Sequence, residues 1–112
     1  MKEGLNMALK TFQFPTFKEW AKTQHVELTI GDYSAQISHF KTHRQEDFIV
    51  KVFLASVYCK NNQNHVSENI GSTTFIYIPQ QFTEDEFETA YKDACEFLNK
   101  TFKKHMYRTY WE

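Results

Sequence analysis

The segment from Gln81 to Lys104, QFTEDEFETAYKDACEFLNKTFKK, constrains the fold more than any other stretch of this chain. Thr83 stands where an N-cap hydroxyl can accept from an orphan amide of the first turn. Glu86, three residues on, can accept from the Thr83 amide in return, and Phe82 and Phe87 take the staple positions around this capping box. At about 100° per residue, Phe87, Ala90, Tyr91, Ala94, Leu98 and Phe102 fall on one stripe. Glu88, Thr89, Lys92, Glu96, Asn99 and Lys103 fall opposite. Glu88–Lys92 and Glu96–Lys100 are i,i+4 pairs with the acid first. Acids open the segment and Lys100, Lys103, Lys104 and His105 close it, which suits the helix dipole. A helix over Phe82–Lys104 with one buried face is predicted.

Upstream, the pattern switches to strands. VELTI (Val26–Ile30) and YSAQI (Tyr33–Ile37) flank Gly31-Asp32, a pair suited to a two-residue primed turn. That register sets Ile30 opposite Tyr33, Leu28 opposite Ala35 and Val26 opposite Ile37, with all six on one side. Glu27, Thr29, Ser34 and Gln36 then share the wet side, and a slip of one residue would scramble both. After a polar loop at Lys41–Asp47, Phe48–Lys60 reads as the longest strand. One of its faces carries Phe48, Val50, Val52, Leu54 and Tyr58; the other carries Ile49, Phe53, Ala55, Val57 and Cys59. Asn61–Asn69 reads as a long polar connection and Ser72–Pro79 as a fourth strand. Before all of these, Thr16 and Glu19 repeat the capping-box spacing and predict a short helix from Phe17 to about Thr23 with Trp20 buried.

The expected fold is therefore α+β, a single domain over residues 1–112 in the order α-β-β-β-β-α. Its sheet is an antiparallel four-stranded meander, with the long C-terminal helix packed on one face. Residues 1–11 carry no strong pattern, and residues 106–112 form an aromatic tail. A chain of 112 residues can bury roughly two-thirds of its unfolded surface without staples. Eleven Phe against three Gly and two Pro indicate a bulky core with few tight turns.

Composition narrows function mainly by exclusion. A net charge of −1 gives no generic nucleic-acid footprint. No apolar run approaches the ~18 residues of a membrane span, and no signal-peptide pattern opens the sequence. Cys59 and Cys95 lack CxxC spacing; a reduced pair in a cytoplasmic protein is the first reading and one disulfide between them the second. His39 and His43 are four apart, but at a strand end and loop that spacing has no ligand geometry. His25, His65 and His105 add no HExxH or Cys/His pairing, so no metal and no cofactor are expected. Glu84, Asp85, Glu86 and Glu88 are ordinary first-turn acids. With no glycine-rich phosphate loop and no nucleophile elbow, no catalytic residues are assigned.

The helix–strands–helix order resembles that of the double-stranded-RNA-binding domain. That family meets phosphate with lysines at the start of its last helix, where this chain has TEDEFE, so it is assigned to no family.

Two features stay unabsorbed. The third and fourth strands are apolar on both sides, which leaves a face around Phe53 and Val57 needing cover. The tail carries Tyr107, Arg108, Tyr110 and Trp111, residue types enriched at interface hot spots. Together they predict a non-enzymatic interaction module of accessory, immunity or inhibitor type, binding a protein partner or a second copy through Phe53, Val57, Tyr107, Arg108, Tyr110 and Trp111. The alternative is a small-ligand pocket or enzyme site between sheet and helix, with Tyr33, His39, Tyr77 and Tyr91 converging. A weak nucleic-acid surface at Lys103, Lys104 and Arg108 ranks third.

Overall fold

The computed structural model describes residues 11–41, 51–61, 63–77 and 81–111, with the side chains of residues 41 and 108–111 outside that set. Helix α1 (Phe17–Thr23) is followed by strands β1 (His25–Ile30), β2 (Tyr33–Lys41), β3 (Lys51–Lys60) and β4 (Ser67–Tyr77), and then by helix α2 (Glu84–Trp111). The sheet order is β1-β2-β3-β4, every neighbouring pair antiparallel. This is the predicted α-β-β-β-β-α meander with its long helix on one face.

Local chemistry explains most of the boundaries. The Thr16 hydroxyl accepts from the Glu19 amide at 3.2 Å and starts α1. Gln24, at φ 59°, ends it, and its carbonyl accepts from the His39 amide of β2 at 3.1 Å. At the head of α2 the reciprocal box is complete. The Glu86 amide donates to the Thr83 hydroxyl at 3.1 Å, and the Thr83 amide donates to the Glu86 carboxylate at 3.0 Å. The Thr83 amide, and the Thr83 hydroxyl at 3.0 Å, hold the Glu86 carboxyl below its usual range. In the first hairpin Ile30 pairs with Tyr33, Leu28 with Ala35 and Val26 with Ile37, as the alternation requires. Among the residues of its turn, positive φ falls on Gly31 alone (59°), the pattern of a II′ turn.

The core lies between the sheet and α2. Tyr91, Ala94, Leu98, Phe102 and Met106 of the helix are buried against Ala35, Ile37, Phe53, Ala55 and Val57, with Trp20 of α1 and Phe12 of the preceding arm closing the sides. Phe12 through Thr16 runs without regular structure before α1. Phe12 packs its ring 4.8 Å from that of Phe102.

Four expectations are corrected. Phe53 and Val57 do not lie on an uncovered face. The register sets Val57 opposite Ala35 and Phe53 opposite His39, which places both on the helix-covered side with the dry face of the first hairpin. Strand β4 starts at Ser67, not Ser72, because the connection is a tight turn built from asparagines. The Asn61 amide donates to the Val66 carbonyl at 2.8 Å, and the Asn61 and Asn64 side chains accept from Gln63 and Val66. Helix α2 continues to Trp111, so residues 106–111 are helix and not a separate tail. No Gly or Pro follows Lys104, and the buried positions Leu98, Phe102 and Met106 continue at i+4. Asn99 does not face water: its amide is half-buried against the arm. The expected strand start at Phe48–Val50 and strand end at Ile78 and Pro79 lie outside the described residues.

Candidate functional site

Three surfaces qualify, and the first gathers part of the expected ligand pocket. At the end of the sheet nearest the start of α2, His39 is buried between Gln24 and Tyr77. Its Nδ1 lies 3.0 Å from Gln24 Oε1, and its Nε2 lies 2.5 Å from the Tyr77 hydroxyl. The two rings stack within 7° of parallel. Phe87 packs against both rings, its centre 4.8 Å from that of His39 and 5.8 Å from that of Tyr77. Above them opens a mouth of about 330 Å³, with Lys51 and Glu84 at its lip and Phe17, Phe82 and Phe87 as apolar walls. Burial pushes the His39 pKa below its usual value, with Lys51 adding to the effect, and burial raises that of the Tyr77 phenol.

Tyr33 and Tyr91 do not join this group. The Tyr33 hydroxyl meets His105 Nδ1 at 2.9 Å, on the rows of the sheet farthest from Tyr77. The Tyr91 hydroxyl donates to the Pro15 carbonyl at 2.6 Å. Between the His39 mouth and Tyr33 the interior is filled: the Trp20 ring lies 5.8 Å from Phe53, 5.6 Å from Phe87 and 5.0 Å from Tyr91. The mouth is a recess at one end, not a chamber beneath the helix.

His39 gives a pH test with a definite sign. Its folded pKa is depressed below the unfolded value of about 6.5. The unfolded chain therefore takes up a proton first as pH falls, and stability from this group is lost on going below about 6.5. Wild type and His39→Leu are compared by urea denaturation at pH 7.5 and pH 5. The excess stability of wild type is expected to shrink at the lower pH; a gap that stays constant or widens contradicts a neutral His39.

The second surface is a trough along the outer side of α2. Asn99 grips the arm at both polar atoms of one residue. The Phe12 amide donates to Asn99 Oδ1 at 2.6 Å, and Asn99 Nδ2 donates to the Phe12 carbonyl at 3.1 Å. Two turns earlier on the helix, Tyr91 holds Pro15. The arm thus runs antiparallel to α2 and is pinned at two points, leaving a trough of about 840 Å³ between them. Phe12, Phe14, Tyr91 and Cys95 line it, with charged side chains from α2 and Lys18 at the rim. Helical periodicity alone puts Asn99 on the wet face; a partner eighty-seven residues away has no local signal.

The third surface is the side of the sheet opposite α2. Phe40 pairs with Val52, and Val52 with Ile76, so three apolar side chains form one row across β2, β3 and β4. Leu54 stands two residues from Val52 on the same face, while the rest of that face is mainly polar, with Ser34, Gln36, Glu27 and Thr29. Phe40 is 48 % exposed and Ile76 65 %. Sequence reasoning misses this row because it leaves the wrong face of β3 uncovered. The signal that could find it, the alternation Val52–Leu54, is present in the strand.

Of the expected partner-binding residues, Tyr107 is 54 % exposed on the last turns of α2. Arg108, Tyr110 and Trp111 continue that helix, and their side chains lie outside the described residues. Cys59 and Cys95 are both free thiols. Among the described residues no three His, Cys, Asp or Glu side chains stand together as metal ligands, and no helix is long and apolar enough to cross a membrane. No protein-family model, curated protein or solved structure matches this chain.

Proposed function

We propose that this chain is a non-catalytic protein-interaction module whose docking face is the side of the sheet opposite α2. The observation that carries it is the Phe40–Val52–Ile76 row, an apolar corner extended by Leu54 on a face whose other described positions are mainly polar and that no described helix covers. Isolated exposed hydrophobics need no explanation, whereas a contiguous exposed apolar patch supports an interaction site. A net charge of −1 favours recognition by shape and apolar burial over long-range steering. The His39 mouth supports a ligand-binding reading less well. Its two best polar residues are already bonded, to each other and to Gln24.

The test pairs Phe40→Ser/Ile76→Lys with Tyr107→Ser in otherwise full chains. A protein partner, or a second copy detected by light scattering, is expected to bind wild type and the Tyr107 variant. It should be weakened by at least about tenfold in the sheet-face variant, since two apolar side chains leave the contact. Both changed side chains are exposed, so circular dichroism should be unaltered. Equal binding by all three proteins removes the sheet face from the interface; loss only in the Tyr107 variant moves it to the end of α2.

A further inference from the structure

We propose that the trough between the Phe12–Thr16 arm, with the start of α1, and α2 is a separate binding site for a small amphiphilic anion, an apolar body carrying one carboxylate-like head. The trough volume of about 840 Å³ falls within the range of small-molecule sites, which are concave and mostly apolar with a few placed polar groups. Its floor is the half-buried Phe14 and Cys95, with the buried Phe12 and Tyr91 beneath them. Burial pushes the Cys95 thiol up to about 11 and the Tyr91 phenol higher still, so the floor carries no charge at neutral pH.

The rim has the opposite character. Four lysines (18, 92, 100 and 103) stand against two glutamates (88 and 96) in a protein whose net charge is −1. Lys92 is engaged by Glu88 at 3.1 Å. That leaves Glu96 against three lysines, Lys18 on one bank and Lys100 and Lys103 on the other. A ligand lying in the trough would set its apolar part on the aromatic floor and its head among those ammonium groups. A cationic amphiphile would meet the same floor and a repelling rim.

The walls are also fixed before any ligand arrives. Asn99 takes both backbone polar atoms of Phe12, and Tyr91 takes the Pro15 carbonyl, so the intervening Gln13 and Phe14 span two anchored points. Pre-ordered walls remove part of the ordering cost that binding to a loose arm would incur. Asn99 and Tyr91 lie eight residues apart, about 12 Å along the helix, close to the reach of the extended segment between Phe12 and Pro15.

The site is tested on the full chain by calorimetric titration with monomeric dodecanoate, with dodecyltrimethylammonium as the comparator of the same chain length. Dodecanoate is expected to bind with one-to-one stoichiometry and with affinity that falls as salt rises. Lys100→Glu/Lys103→Glu should weaken it by about tenfold, two exposed charge contacts each worth a factor of about three. Phe14→Asp should weaken it further, and bound dodecanoate should slow alkylation of Cys95 in a Cys59→Ser background. The Phe40→Ser/Ile76→Lys variant should bind dodecanoate like wild type, so this site and the sheet-face reading stand or fall separately. Absence of saturable binding, equal affinity for the two amphiphiles, or loss in the sheet-face variant with the lysine variant unaffected overturns the proposal. Circular dichroism of every variant reports that the fold is retained.

Discussion

Trp20→Ala is expected to lower the stability of this fold by about 3–5 kcal/mol, the usual cost of truncating a buried Trp or Phe. Trp20 is 1 % exposed and is the largest fully buried side chain among the described residues. Its ring packs with rings from four elements: Phe17 of its own helix, His39 of β2, Phe53 of β3, and Phe87 and Tyr91 of α2. Its indole Nε1 also donates to the Ile37 carbonyl at 3.2 Å. A domain of this size has a total stability of order 5–15 kcal/mol. The substitution therefore removes a large share of it.

The consequence is sharpest for α1. Seven residues cannot sustain a helix in water, since isolated helices shorter than about 12–15 residues are marginal. Trp20 is the buried anchor that holds α1 on the sheet. In Trp20→Ala the denaturant midpoint followed by far-UV circular dichroism should fall steeply, and limited proteolysis should begin near α1. Trp20→Phe keeps most of the ring contacts and loses the hydrogen bond, and should recover more than half of the loss. A drop below about 1 kcal/mol in Trp20→Ala, set against the usual range for such truncations, would mean that α1 undocks without the sheet.

The reach of Trp20 also shows where the sequence is legible and where it stops. Its burial follows from capping-box spacing and two large apolar residues, Phe17 and Trp20, in a short segment, all within eight positions. The first hairpin is legible for the same reason: Gly31-Asp32 fixes the register locally, and the alternation on both strands agrees with it. Between β2 and β3 the sequence offers no such two-residue turn signal. The register of that pair crosses a polar connection whose length does not set strand parity, so the choice of which face of β3 meets the helix stays open. That one ambiguity moves Phe53 and Val57 to the wrong side and hides the Phe40–Val52–Ile76 row. Polar edge residues such as Ser67, Glu68 and Asn69 read as loop because an edge strand exposes much of its length. Asn99 and Tyr91 acquire their partners from the arm through contacts eighty-seven and seventy-six residues apart. No periodicity encodes those.

Gly71→Ala should be destabilising alone and stabilising in a Thr101→Ala background, a reversal of sign that follows from one close approach. Gly71 of β4 pairs with Val57 of β3 beside a bulge that leaves Ile70 of β4 unpaired, and Thr101 of α2 comes close to it there. A methyl group at Gly71 would come 2.7 Å from Thr101 Cγ2, 3.4 Å from its Oγ1 and 3.5 Å from its Cβ. Thr101 is β-branched with few rotamers open to it on a helix, so relief requires it to leave its present rotamer or α2 to back away from the sheet. Overpacking of this kind costs about 1–3 kcal/mol. The backbone itself does not require glycine, because positive φ among the described glycines is confined to Gly31. Thr101→Ala removes both clashing branches and leaves the methyl at ordinary contact distance from the remaining Cβ. Replacing glycine then restricts the unfolded chain and contributes about 0.4–1 kcal/mol. A four-protein cycle measured by urea denaturation checks this: the Gly71→Ala effect should change sign between the wild-type and Thr101→Ala backgrounds. Equal costs in both would show that the helix does not approach β4 so closely, and the close packing of α2 on β4 would have to be abandoned.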